Sequence, residues 1–194
     1  MNSNQPLPLE HHPWAPYIPD GARYLFLGTF PPGPERWSME FFYPNKTNDF
    51  WRVMGLIFFG DRDALWDKAN NRFDLEAIKA LLNRERIALW DTGMTVRRLK
   101  GNASDKFLEI VEPIDLAALL DKHPSITQVI TTGEKATGII ASQAHINVPA
   151  IGAPVECQVG PHTMILWRMP STSRAYPLAL EKKTEAYRMI FDPQ

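Results

Sequence analysis

The chain has 194 residues, of which 44% are hydrophobic and 22% are charged, and its formal net charge is -1. This balance is typical of one soluble globular domain with a sizeable core, and it excludes the extreme compositional classes. The near-neutral charge argues against nonspecific coating of nucleic acid, because phosphate neutralisation requires a basic chain or a basic face.

Neither a membrane segment nor a metal cluster is expected. The longest apolar runs are far too short to span a bilayer, and the first residues lack the basic and apolar parts of a signal peptide. We therefore expect a cytoplasmic protein. The single cysteine, Cys157, permits neither an internal disulfide nor a zinc cluster, and the five histidines show no metal-ligand spacing. We expect no metal and no cofactor.

The N-terminal residues 1–22 carry five prolines and little periodicity. This composition predicts an extended segment that runs over the surface before a single domain at residues 23–194. The adjacent histidines His11 and His12 have two interpretations, a ligand role and a surface position, and the surface position is favoured.

Four short apolar runs predict buried strands, and segments with helical periodicity lie between them. Strands that alternate with helices imply a mostly parallel sheet with helices on both faces and a site at the carboxyl ends of the strands. The stretch 92–110 is predicted to be an irregular insertion. The predicted strands are 24–27, 86–90, 128–132 and 163–167, and the predicted helices are 48–58, 74–82, 113–122, 133–144 and 177–190.

The stretch 24–51 is the part of the chain most suited to an active site. Gly28 lies where the first strand would deliver its carboxyl end to a crevice, and the proline-rich residues 31–34 predict a stiff turn. Residues 41–43 are three consecutive aromatics, and we expect at least one to face a ligand. Asn48 lies where the next helix begins, so its side chain can cap that helix or hold a water.

Charged residues are distributed unevenly along the chain. The basic group lies in the predicted insertion, and an acidic group lies in another segment. Two interpretations stay open: a DNA-facing edge with an opposite acidic side, or a solvated surface with chance clusters. The basic residues are Arg97, Arg98, Lys100 and Lys106, and the acidic ones are Asp61, Asp63, Asp67, Asp74 and Glu76.

Four motifs follow one another along the chain: Gly-Thr-Phe-Pro-Pro-Gly (28–33) with Asn-Asp-Phe-Trp (48–51), Ala-Leu-Trp-Asp (88–91), Thr-Gly-Glu-Lys-Ala (132–136) and Pro-Ser-Thr-Ser (170–173). Their sequence and order resemble the uracil-DNA glycosylase superfamily, particularly its hypoxanthine-DNA glycosylase and mismatch-specific uracil branches. The resemblance covers roughly residue 21 to the C-terminus. It implies an α/β three-layer sandwich whose central, mostly parallel four-stranded sheet has the strand order 2-1-3-4.

The resemblance also implies a function and a set of site residues. The expected enzyme is a monomeric, monofunctional DNA glycosylase that hydrolyses the N-glycosidic bond of hypoxanthine or uracil flipped out of damaged duplex or single-stranded DNA. The implied catalytic residue is Asn48, and Asp91 is the second catalytic candidate because it is the only carboxylate that a motif places at a strand end. The implied base pocket contains Gly28, Thr29, Phe30, Phe42, Tyr43 and Thr132, and the implied DNA contacts are Pro170, Ser171, Thr172, Ser173, Arg174, Arg97 and Arg98.

Each catalytic assignment has a structural alternative. The Asn48 amide can orient water through its carbonyl or donate to the base through its NH2 group, or it can serve only as a helix cap. Asp91 can assist the reaction or act as an acceptor that organises a loop. Ser173 occupies the place of the wedge leucine of other members and is too small for that role, so Arg174 or Tyr176 would fill the gap.

Two positions depart from the better-known branches. Phe30 and Pro31 replace a polar residue in the first loop, and Met169 replaces the polar residue before Pro-Ser. These changes match the hypoxanthine branch, and they also suit a catalytically silent DNA-binding relative. A nucleoside or nucleotide hydrolase that uses the same crevice is a third hypothesis.

Overall fold

The computed structural model describes residues 7–100 and 105–192. Residues 1–6 of the predicted N-terminal segment and residues 101–104 of the predicted insertion lie outside the described residues. The elements in chain order are β1 (Leu9–His11), β2 (Tyr24–Gly28), α1 (Phe50–Phe59), β3 (Trp66–Asp67), β4 (Arg72–Phe73), α2 (Leu75–Glu85), β5 (Ile87–Asp91), β6 (Gly93–Arg98), β7 (Leu108–Pro113), α3 (Leu116–Lys122), β8 (Gln128–Thr132), α4 (Glu134–Gln143), β9 (Pro154–Val159), β10 (His162–Met169) and α5 (Leu180–Arg188).

The central sheet has the strand order β5-β2-β8-β10-β9. The four strands predicted from apolar runs are adjacent and parallel, but the expectation of a four-stranded sheet is wrong, because β9 adds a fifth strand antiparallel to β10. Only Cys157 and Val159 of β9 are buried, so this strand has no continuous apolar run. It begins with Pro154, a residue that sheets tolerate at an edge.

Helices pack on both faces of this sheet, which confirms the α/β class. On one face the Phe26 ring lies 5.6 Å from Phe50 of α1 and 6.4 Å from Tyr187 of α5, measured between ring centroids. On the other face the Thr131 hydroxyl bonds to the Thr137 hydroxyl of α4 at 2.8 Å. Side chains of β2 and β8 therefore point to both faces of the sheet, where α1 and α5 cover one face and α4 covers the other.

A second sheet, with the order β1-β6-β7, occupies the region predicted to be an irregular insertion. The prediction is wrong there because β6 and β7 pair as an antiparallel hairpin with a register shift between Gly93 and Val96. β1 pairs antiparallel with the outer side of β6. Pro113 ends β7 instead of starting a helix, and α3 begins at Leu116, where the Asp115 carboxylate accepts a hydrogen bond from the Ala118 amide.

Helix ends follow local signals where the sequence supplies them. Gly60 takes a left-handed φ of 70° after α1, as the glycine at that position predicts. The Asp74 carboxylate accepts from the Ala77 amide and starts α2. α5 starts at Leu180, three residues later than predicted. Among the described residues, no helix has both the length and the apolar character that crossing a bilayer requires.

Candidate active site

A cavity of about 350 Å³ opens at the carboxyl ends of β2, β5 and β8, beside the loop that follows β10. Parallel strands place their carboxyl ends at one edge, so residues far apart in sequence meet there. Most of the predicted site residues line this cavity: Gly28, Thr29, Phe30, Tyr43, Asn48, Asp91, Thr132, Ser171, Thr172, Ser173 and Arg174.

The remaining predicted residues lie outside the cavity lining. Phe42 is buried beneath it with 1% of its surface exposed, and Pro170 lines a neighbouring groove. Arg97 pairs with Glu109 at 2.7 Å across the β6–β7 hairpin. Arg98 pairs with Glu10 at 2.9 Å and donates to the carbonyl of Pro31 at 2.7 Å. Arg97 therefore links the two strands of the hairpin, and Arg98 links β6 to β1 and to the first-motif loop.

Asn48 lies at the mouth of the cavity just before α1. Its Oδ1 accepts a hydrogen bond from the Phe50 amide at 2.9 Å, so the carbonyl satisfies one of the free N–H groups of the helix start. The NH2 end is then the part of the amide left for a ligand. Capping and ligand contact thus involve different atoms of one side chain.

Tyr43 forms a rigid wall of the cavity. Its backbone has a left-handed φ of 51°, a conformation that is uncommon for a bulky residue. The ring stacks on Phe50 with centroids 3.8 Å apart, and its hydroxyl bonds to the Thr132 hydroxyl at 2.9 Å. Burial raises the pKa of Tyr43, and the nearby Asp91 carboxylate raises it further, so the phenol stays protonated.

Gly28 and Asp91 face each other across neighbouring strands. They are register partners at the carboxyl ends of β2 and β5. A Cβ on Gly28 would lie 2.5 Å from Asp91 Oδ1 and 3.4 Å from the Tyr43 hydroxyl oxygen. A glycine is therefore needed here for the carboxylate to approach the backbone. Asp91 is 6% exposed and its carboxylate lies at the inner end of the cavity.

His12 is a site residue that sequence reasoning missed. Its Nε2 lies 2.8 Å from Asp91 Oδ2, and only 4% of its side chain is exposed. The favoured surface position is therefore wrong for this histidine. The contact spans 79 positions in sequence, and no local pattern in the proline-rich segment indicates it.

Asp105 is a second carboxylate that lines the cavity and was not predicted. Thr29 donates its hydroxyl to Asp105 Oδ2 at 2.8 Å. Although the residue is partly solvent-exposed, desolvation of the carboxyl is the main cause that raises the pKa of Asp105, and Asp91 adds to it. The Thr29 hydrogen bond and the Lys135 charge oppose this rise.

A buried ion pair joins the first motif to the Pro-Ser-Thr-Ser loop. Lys183 of α5 contacts Asp49 Oδ2 at 2.9 Å and donates to the Ser173 carbonyl at 2.9 Å. The Asp49 amide donates to the Thr172 carbonyl at 2.9 Å, and Arg174 approaches Asp49 Oδ1 at 3.6 Å. Two walls of the cavity are therefore fixed to each other through α5.

The chain is similar to hypoxanthine DNA glycosylase of Methanosarcina barkeri (strain Fusaro / DSM 804), with 31% identity over 121 residues. The match spans 62% of this chain and 69% of that protein. The chain belongs to the uracil-DNA glycosylase superfamily, near its hypoxanthine-DNA glycosylase branch. No family model matches it.

The fold agrees with this membership of the uracil-DNA glycosylase superfamily. A solution NMR structure of a candidate uracil DNA glycosylase from Methanosarcina acetivorans superposes with a TM-score of 0.59 at 20% identity. The superposition covers 95% of this chain and 99% of that one. At this identity the likeness concerns the arrangement of strands and helices.

The departures from better-known branches of the superfamily have structural explanations here. The Phe30 ring contacts the His12 ring edge-on at 5.5 Å and lies under the Arg98 guanidinium at 5.6 Å. Met169 is 1% exposed at the end of β10. In this chain Phe30 lines the cavity and Met169 packs beside the neighbouring groove, so both positions are apolar.

Proposed function

We propose that this member of the superfamily is a monofunctional DNA glycosylase, acting as a monomer, that removes a deaminated base, hypoxanthine or uracil, from DNA. The observation that carries the proposal is the placement of the Asn48 amide and the Asp91 carboxylate in one cavity at the strand ends. The sequence similarity to a protein named hypoxanthine DNA glycosylase supports it.

The cavity suits a single flipped base. A nucleotide that leaves the stack costs a few kcal/mol, which contacts inside the pocket must offset. Phe30 and Tyr43 line the cavity and offer aromatic surface, and one ring stacked on a base is worth about 1 to 3 kcal/mol. The rigid Tyr43 wall, already packed against Phe50, requires little reorganisation when a base enters.

Asn48 donates a hydrogen bond to the departing base. Cleavage of the N-glycosidic bond leaves the bonding electrons on the base, so a hydrogen-bond donor aimed at a base carbonyl stabilises the transition state. Because Asn48 Oδ1 is occupied by the Phe50 amide, its NH2 group is the available donor. Hypoxanthine and uracil both have carbonyl oxygens that can accept this hydrogen bond.

Asp91 acts on the attacking water as a general base. As the base leaves, positive charge builds on the sugar, and a water oxygen forms the new bond to the anomeric carbon. A carboxylate at the inner end of the cavity stabilises that charge and accepts the proton that the water loses. Because water itself forms the new bond to the sugar, no covalent enzyme intermediate is involved, and the departing base gains a proton from solvent.

The DNA strand would pass over the rim of the cavity. Ser171, Thr172 and Ser173 provide hydroxyl and backbone groups suited to phosphates, and Arg174 stands beside them with 60% of its side chain exposed. A groove of about 970 Å³ continues from this rim, and Lys106, Lys135 and Arg168 contribute to its lining. We assign Pro170, Arg97 and Arg98 supporting positions in the same interface.

Labelled duplexes and single strands that carry hypoxanthine or uracil test the proposal. After incubation with the protein, treatment with alkali should break the strand at the lesion, and omission of alkali should leave it intact. Matched undamaged DNA and the variant Asn48→Ala serve as controls. Binding without alkali-labile sites would indicate a catalytically silent relative, and base release from free nucleosides alone would indicate a nucleoside hydrolase.

A further inference from the structure

The N-terminal segment places His12 behind the cavity, next to Asp91. β1 pairs with β6 through His11 and Thr95, and the His12 amide then donates to the Met94 carbonyl at 2.8 Å. These backbone contacts place His12 beside the end of β5. The histidine therefore reaches the site through strand pairing with the second sheet.

Aromatic rings enclose the His12 imidazole. It stacks against Trp90 with ring centroids 5.1 Å apart, and against Phe42 at 6.0 Å. The edges are covered by Trp14 at 5.9 Å and Phe30 at 5.5 Å. In this enclosure the ring has Nε2 toward the Asp91 carboxylate.

The other ring nitrogen is held by the backbone of Trp14. His12 Nδ1 lies 2.9 Å from the Trp14 carbonyl oxygen and 3.2 Å from the Trp14 amide nitrogen. It accepts from the amide when the ring is neutral and donates to the carbonyl when the ring is protonated. Because an ionised Asp91 carboxylate can only accept, Nε2 must be the donor to Oδ2 in both of these states.

We propose that His12 is the positioning residue for Asp91, and that it fixes which carboxylate oxygen is presented to the attacking water. The His12 hydrogen bond occupies Oδ2, while Oδ1 lies against Gly28, where the backbone has no Cβ. A carboxylate without this donor would rotate within the cavity. The inference depends on the proposed function, because it assigns Asp91 a role in the glycosylase reaction.

Two substitutions separate positioning from packing. His12→Gln keeps an N–H donor near the place of Nε2 but loses the aromatic ring, whereas His12→Phe keeps the ring and loses the donor. We expect His12→Phe to lower single-turnover cleavage about tenfold to a hundredfold, the scale of a small displacement of a reacting group. His12→Gln should retain a clearly larger share of the rate, even though it melts at a lower temperature.

A third variant and a control at the neighbouring histidine distinguish loss of positioning from loss of folding. His12→Asn is polar like His12→Gln but too short to reach Asp91, so it should lose cleavage while His12→Gln keeps it. His11→Gln alters the adjacent exposed histidine, whose Nδ1 contacts the Thr95 hydroxyl, and should leave the rate unchanged. Thermal unfolding of each variant shows which of them are folded at the assay temperature.

The Asp91→Asn background identifies the residue through which His12 acts. If His12 works through the carboxylate, adding His12→Phe to Asp91→Asn should produce little further loss of cleavage. Full additivity, or a rate order in which His12→Phe exceeds His12→Gln, would overturn the positioning role while leaving the glycosylase proposal intact. A wild-type protein inactive on every lesion would overturn the proposed function and this inference with it.

Discussion

Lys183 Nζ lies 2.9 Å from Asp49 Oδ2, and the two side chains are only 1% and 7% exposed. The pair joins α5 to the start of α1, directly after Asn48. Lys183 also donates to the Ser173 carbonyl, so one ammonium group holds both the first motif and the Pro-Ser-Thr-Ser loop. The spacing of the two cavity walls therefore depends on a buried charge pair that lies outside the cavity lining.

Removal of this ammonium group should destabilise the whole domain. Lys183→Met leaves the Asp49 carboxylate buried, and among the described residues the 3.6 Å contact to Arg174 is its one remaining ion pair. Breaking a buried pair costs about 3–5 kcal/mol. Urea denaturation measures the loss. Lys182→Met is the matched control, because that lysine is exposed and pairs only at the surface with Glu185. Equal stability of the two variants would contradict the bridging role.

Asn48 substitutions should separate capping from catalysis. Asn48→Asp keeps an oxygen for the Phe50 amide and suits the positive end of α1, so its melting temperature should stay near wild type. It cannot donate to the base and repels the charge that develops there, so we expect at least about a hundredfold loss of single-turnover cleavage.

Asn48→Ala provides the complementary measurement. It removes both the cap and the donor, and should cost about 1 kcal/mol of stability in addition to the loss in rate. Cleavage by Asn48→Ala at the wild-type rate, measured at a temperature where the variant is folded, would refute the catalytic assignment.

Gly28→Ala should lower the cleavage rate while the domain still folds. The new Cβ would lie 2.5 Å from Asp91 Oδ1, so the carboxylate must move. We expect a loss of cleavage of about tenfold or more, together with about 1–3 kcal/mol of destabilisation from overpacking. Gly138→Ala is the control: its Cβ meets nothing within 4 Å in α4, so it should stabilise by about 0.5–1 kcal/mol. Full activity of Gly28→Ala would argue against a fixed Asp91.

We propose that Arg174, an exposed side chain at the rim of the cavity, fills the gap that a flipped base would leave. Arg174→Ala should slow cleavage of paired substrates more than single-stranded ones, because only a duplex leaves a hole to fill. The ratio of single-turnover rates on the two substrates measures this effect. Arg188→Ala, an exposed arginine at the end of α5, should not change the ratio. Equal losses on both substrates for Arg174→Ala would indicate a phosphate contact.

The pKa of Asp105 predicts a pH dependence of stability. Because its folded pKa is raised, the folded state binds more protons than the unfolded state from about pH 4, the usual range of a free aspartate, up to that raised pKa. The contribution of Asp105 to the free energy of unfolding therefore falls as pH rises through this window. Asp105→Asn removes the carboxyl, so its stability relative to wild type should increase with pH. Parallel stability curves from urea denaturation would contradict this expectation.

The four apolar strands and the helix periodicities were readable from the sequence because burial on both sides leaves a continuous or regular pattern. β9 and the β6–β7 hairpin were not readable in this way. Most side chains of β7 and β9 are not buried, β6 mixes buried with half-buried residues, and Pro113 suggested the first turn of a helix. Their pairing depends on partners elsewhere in the chain.

The cavity residues that belong to motifs could also be predicted from the sequence. The residues that position them through side-chain contacts could not. His12 contacts a partner 79 positions away, and Lys183 contacts one 134 positions away. A lysine on an otherwise polar helix has the sequence pattern of a solvated surface. Only the three-dimensional packing shows that this one is buried.

The three-residue strand β1 has a consequence for local opening of the molecule. It pairs at the edge of the second sheet, and its side chains are largely exposed. Such a strand detaches at low free energy compared with the core ladder of β2, β5 and β8. Its amides should therefore exchange with deuterium before those of the central sheet, and each opening would withdraw His12 from Asp91. We therefore expect the hydrogen bond between His12 and Asp91 to break and re-form many times before the domain unfolds as a whole.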